Sequence, residues 1–107
     1  MKYRKVTAII PTISLNDVEH ALMEIAVPGM TVTKARGMGE YRNYYAKDSM
    51  TDSSRVEVFI KEENAQEVAD TIAKAVHQGM NTDGVIAIMP VDDFMHIREY
   101  GNKKNDE

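Results

Sequence analysis

Two stretches of helical apolar spacing, each flanked by segments of strand character, constrain this chain more than any other feature. Leu15, Val18, Leu22 and Ile25 recur at intervals of three and four behind Ser14, a residue suited to a helix N-cap, with acidic Asp17 in the first turn. The spacing predicts a helix over about 15–26, stopped by Pro28 and Gly29. Ala65, Val68, Ala69, Ile72 and Val76 repeat the pattern behind Asn64, with Glu67 in the first turn and Gly79 as a left-handed stop after His77. Around these, residues 3–11 are β-branched and apolar and close on Pro11, and residues 30–35 set Thr31 and Thr33 against Val32. Residues 55–61 alternate Val56, Val58 and Ile60 with Arg55, Glu57 and Phe59, while 85–89 form a continuous apolar run ended by Pro90. Residues 92–98 are read as one more short helical turn.

The order strand, helix, strand, strand, helix, strand is the ferredoxin-like α+β sandwich, βαββαβ. Right-handed crossovers send both helices to one side of the sheet, so the other face is left without a cover. Phe59 projects away from Val56, Val58 and Ile60 and is expected on that bare face, near Thr31 or Thr33. A monomer would leave the face wet, which predicts a homo-oligomer.

Length and composition narrow the function. The 107 residues hold one compact domain, assigned to 1–100, with a polar tail at 101–107 predicted to be disordered. No apolar run approaches the ~20 residues of a membrane span, and the basic residues 1–5 precede no signal-peptide pattern. With no cysteine, disulfides, thiolate zinc sites and cysteine nucleophiles are excluded, in keeping with a cytoplasmic protein. A formal charge of −4 argues against nucleic acid, which requires a clustered basic surface.

The stretch 40–54 has neither period and is read as a long loop, of the kind that is functional or disordered. It carries Tyr41, Tyr44 and Tyr45, and aromatic side chains on a loop suit protein contact. Gly37-Met38-Gly39 at its base can present backbone N–H groups to an anion, and Asn81-Thr82-Asp83-Gly84 is either a plain turn or part of a ligand cradle. His20, His77 and His96 lack the spacing of a metal site on one element. No Ser-His-Asp set, carboxylate pair or Walker loop assembles, so the chain is read as non-catalytic.

Across almost its whole length the sequence resembles the PII signal-transduction proteins. Gly29-Met30-Thr31-Val32-Thr33 with Gly37-Met38-Gly39 resembles that family's second strand and the start of its T-loop. Asp83-Gly84 and the strand ending Met89-Pro90-Val91 resemble its B-loop and fourth strand, and Ile97-Arg98 part of its basic C-terminal segment. Ala8-Ile9-Ile10-Pro11 and the helix from Leu15 to Ile25 fit its first strand and helix. The resemblance implies a cytoplasmic homotrimer that binds a small effector, an adenine nucleotide, between subunits and regulates a partner protein through the T-loop, as in nitrogen regulation. It implies that Thr31, Gly37, Met38, Gly39, Asp83 and Gly84 line the cleft from one subunit, with Phe59 and Ile60 contributing and Arg98 arriving from a neighbour.

The chain departs from the family where phosphates would be held. Glu40 and Tyr41 stand where the family has arginine and glutamine, Val85 follows the B-loop glycine in place of lysine, and His96 takes a basic C-terminal position. Charge-assisted hydrogen bonds contribute roughly 1.5 to 3 kcal/mol each, so three losses approach the ~8 kcal/mol of a micromolar site. ADP or AMP is therefore expected in preference to ATP. The shorter T-loop resembles that of divergent members, including a group associated with heavy-metal efflux pumps, whose partner would be a membrane transporter. The alternatives are a trimeric metal binder of the cation-tolerance type, with His96 and Asp48 or Asp52 as ligands, and a small ferredoxin-like enzyme.

Overall fold

The computed structural model describes residues 2–37 and 51–101. The chain runs β1 (Tyr3–Pro11), α1 (Leu15–Glu24), β2 (Thr31–Gly37), β3 (Thr51–Lys61), α2 (Ala65–Val76) and β4 (Val85–Val91), with short 3-10 turns before each helix and before and after β4. The four strands form one sheet in the order β2-β3-β1-β4, with every neighbouring pair antiparallel. This is the ferredoxin-like α+β fold.

The helical stripes do what their spacing dictates. Ala65, Val68, Ala69, Ile72 and Val76 of α2 and Val18 and Leu22 of α1 are all buried, against Val6, Ala8 and Ile10 of β1 and Val56, Val58 and Ile60 of β3. Each fully buried aliphatic side chain here contributes about 1.5 to 3 kcal/mol relative to exposure. Both helices lie on this one face, α1 on α2 and α2 over β1 and β4. The register sets Phe59 opposite Lys5 and Glu57 opposite Thr7 and Thr31, all on the other face. Phe59 remains 41% exposed there. An ion-paired row crosses that face, with the Glu57 carboxylate 3.2 Å from the Lys5 ammonium and 4.0 Å from the Arg55 guanidinium.

Several element ends differ from expectation. Helix α1 stops at Glu24 because Ala26 adopts a left-handed φ of 58°. Its N–H then donates to the Met23 carbonyl at 3.0 Å, and that of Val27 to Leu22 at 3.3 Å, which closes the helix well before Pro28. Neither Ser14 nor Asn64 caps through its side chain; a 3-10 turn leads into each helix instead. Pro90 does not end β4, which runs on to Val91. An edge strand tolerates proline because it has a partner on one side only.

The largest correction falls on the long loop. Residues 51–54, expected in it, belong to β3, and Ser53 and Ser54 are buried at 5% and 3% exposure. Ser54 pairs with Ile10 of β1 and Lys34 of β2, and its hydroxyl shares a hydrogen bond with that of Thr12 at 3.0 Å. Flanking strands on both sides satisfy the backbone, and the small side chains fit beneath the turn at residues 12–14. The rest of the loop, including Tyr41, Tyr44 and Tyr45, and the tail at 102–107 lie outside the described residues.

Candidate functional site

Two hollows collect Thr31, Phe59, Ile60, Asp83 and Gly84 among the residues singled out from the sequence. The first, about 560 Å³, is lined by the entry to β2 (Pro28, Gly29, Met30, Thr31), the end of β3 (Glu57, Phe59, Ile60, Lys61), Tyr3 of β1, Asn64 before α2, and Phe94 and His96 after β4. Its floor is aromatic. Phe94 stacks on Tyr3 with ring centroids 4.5 Å apart and 24° between planes, lies 5.3 Å from Phe59, and meets His96 edge-on at 5.1 Å. Thr31 and Phe59 thus meet as expected. Ile60 reaches the hollow only at its margin, since its side chain belongs to the core at 8% exposure.

The second hollow, about 450 Å³, lies between the end of α2 and the start of β4, where Ile72, Val76 and Ile86 line it with Asp83 and Gly84. Asp83 closes this turn. Its Oδ2 accepts the backbone N–H groups of Gln78 at 2.8 Å, Gly79 at 2.9 Å and, more weakly, Met80 at 3.4 Å. The Gln78 N–H is the leading cause that holds the Asp83 carboxyl below the usual carboxylate range; Gly79, Met80 and His77, whose Nδ1 is 3.6 Å away, add to it against partial desolvation. Gly84 has φ +108°, and a Cβ on it would stand 2.0 Å from the Ile9 carbonyl oxygen. That turn is therefore a structural requirement whatever it binds: only glycine lets the chain enter β4 so close to β1.

The two hollows do not form one site within a protomer. Phe59 is level with Lys5 on β1, whereas Val85, next to Gly84, is level with Ile9. Four residues of strand put them about 13 Å apart along the sheet, and they lie on different strands besides. Thr31 starts β2 and Gly84 precedes β4, and these two strands are opposite edges of the sheet. Gly37 ends β2 opposite Thr51, toward the same end of the sheet as Gly84. Met38 and Gly39 lie outside the described residues. Arg98 sits in an exposed 3-10 turn, Ile97–Glu99, beyond the first hollow.

Among the described residues no group of three or more His, Asp or Glu is placed to hold a metal. Asp52 pairs with Arg36 at 3.4 Å, seven residues along β3 from Phe59 and so about 23 Å from the aromatic cluster that contains His96. Asp48 lies outside the described residues.

Sequence reasoning missed Tyr3, Glu57, Lys61, Asn64 and above all Phe94. Residues 92–96 form no helix; they cross the bare sheet face as a strap, and the 3-10 turn comes only after them. The available signal was that Phe59 and Phe94 are the only two phenylalanines, in a chain without tryptophan.

Residues 3–100 match the family described as nitrogen regulatory protein P-II. The nitrogen regulatory protein P-II of Rhizobium meliloti is 33% identical over 102 residues, 89% of this chain and 91% of that protein. That of Azospirillum brasilense is 31% identical over 110 residues, 96% of this chain and 97% of that protein. The crystal structure of Arabidopsis thaliana PII bound to citrate superposes with a TM-score of 0.78 at 31% identity, covering 91% of this chain and 84% of that one.

Proposed function

The chain belongs to the nitrogen regulatory protein P-II family, and from that premise we propose that it is a trimeric sensor whose effector cleft is completed only between copies. Membership makes it a regulatory signal transducer rather than an enzyme. The observation that carries the proposal is that Thr31 and Phe59 lie toward one end of the sheet while Gly37 and Gly84 lie toward the other. One copy supplies Thr31, Phe59 and Ile60, with the strap that leads to Arg98. Its neighbour supplies Asp83 and Gly84, together with Gly37 from the same end of its sheet and Met38 and Gly39, which follow it in sequence.

The effector is an adenine nucleotide, ADP or AMP in preference to ATP. Val85 places an aliphatic side chain directly after the Gly84 turn, and His96 lies against the Phe94 ring with Glu99 at 3.8 Å. Among the described residues the cations within reach of a β,γ-diphosphate there are Lys61, which lines the hollow, and Arg98, which follows it. Residues 40–50, carrying the three tyrosines, contact a partner protein, and a membrane transporter of the efflux-pump type is the partner that the shorter loop favours.

Isothermal titration with ATP, ADP, AMP, cyclic AMP and bicarbonate tests the effector. Tighter binding of ADP or AMP than of ATP is expected; an absence of heat for every nucleotide would rule the adenine reading out.

A further inference from the structure

The strap that carries Phe94 is joined to the sheet in an unusual way. Past Val91, the last residue of the β1–β4 ladder, no hydrogen bond among the described residues ties 92–96 to the sheet. Ring contacts hold it instead: Phe94 on Tyr3, on Phe59 and against His96. Within one protomer Phe94 is only half-buried and Phe59 is 41% exposed, so the stack forms an open wall of the 560 Å³ hollow on the side where a neighbouring copy would complete the cleft.

We infer that Phe94 is a self-stacking plug, and that the effector's purine ring displaces it from Phe59 and stacks in its place between the two phenylalanines. This rests on the reading of the chain as a nucleotide sensor and adds how the site recognises the base and reports it. The spacing requires movement. Two ring-to-ring contacts at about 3.5 Å need about 7 Å between the outer rings, whereas Phe59 and Phe94 are 5.3 Å apart. The strap can yield this much because no backbone hydrogen bond is broken when Phe94 lifts. Thr31 and Glu57, register partners beside Phe59, stand at the edge of the inserted ring. Lifting Phe94 carries along Ile97, Arg98 and Tyr100, all exposed, so base occupancy changes the surface shown at the C-terminal turn.

The test compares the wild-type protein with Phe94→Leu, which keeps apolar bulk without a flat face, by titration with adenosine, ADP and ribose 5-phosphate. Loss of a base-stacking side chain is expected to weaken adenosine and ADP by about ten-fold or more, and to leave ribose 5-phosphate unchanged. Equal ADP affinity in the two proteins would overturn the plug while leaving the nucleotide reading intact. Wild-type protein that binds neither adenosine nor ADP would overturn both. Phe94→Trp supplies a second measurement, because the chain has no other tryptophan: saturating ADP should quench its emission, and unaltered emission would overturn the inference even if Phe94→Leu fails to fold.

Discussion

At Gly84 two constraints coincide, a φ of +108° and a Cβ position 2.0 Å from the Ile9 carbonyl oxygen. Backbone, unlike the tip of a flexible side chain, cannot step aside. Gly84→Ala should therefore cost about 2 kcal/mol or more and lower the thermal midpoint, measured by circular dichroism. Asp83, its neighbour, acts through charge. Its carboxyl is held below the ordinary range chiefly by the Gln78 N–H, so the ionised form is favoured by folding. A depressed carboxylate contributes stability that is present above its unfolded value near 4 and is lost as pH falls through the lower folded value. Urea unfolding of the wild type from pH 6 to pH 2 should show this acid loss, and Asp83→Asn should be less stable at pH 6 with a shallower decline. The acidic turn was legible as Asn81-Thr82-Asp83-Gly84, either a plain turn or a cradle. That Asp83 spends one oxygen on three backbone donors depends on how α2 ends.

For the elements, legibility followed burial. The α2 stripe is buried residue for residue as its spacing requires, and so are Val56, Val58 and Ile60 of β3, because each is an apolar side of a regular element facing one core. The same logic failed at 51–54, where Asp and Ser are poor strand formers by composition. Pairing on both flanks and the Thr12–Ser54 hydroxyl contact override that preference. Amide hydrogen exchange should accordingly find Ser53 and Ser54 protected with the centre of β3; exchange at loop rates would show that β3 begins near Arg55. The strap was misread for a related reason. Residues 92–96 have no period of their own, and their position is set by where Tyr3 and Phe59 happen to stand on two other strands.

At the scale of the whole molecule, a two-layer fold with both helices on one side leaves a sheet face that carries Ile9, Ala87 and Met89 beside the ion-paired Lys5–Glu57–Arg55 row. Such a mixed surface suits burial between copies, where the ion pairs are already made within each protomer. Light scattering should return about three times the 12.1 kDa of one chain. Ala87→Glu, which adds an unpaired carboxylate to the middle of that face, should shift the protein toward monomer; an unaltered mass would place the interface elsewhere. The alternation of strands and helices, the single core, the bare second face and the family resemblance all follow from periodicity or from local motifs in the chain. Only the tertiary structure decided that Thr31 and Gly84 lie on opposite edges, that two serines are buried, and that Phe94 closes over Phe59. Those facts depend on which strands are neighbours and at what register, and strand pairing joins residues too distant along the chain for any local pattern to record.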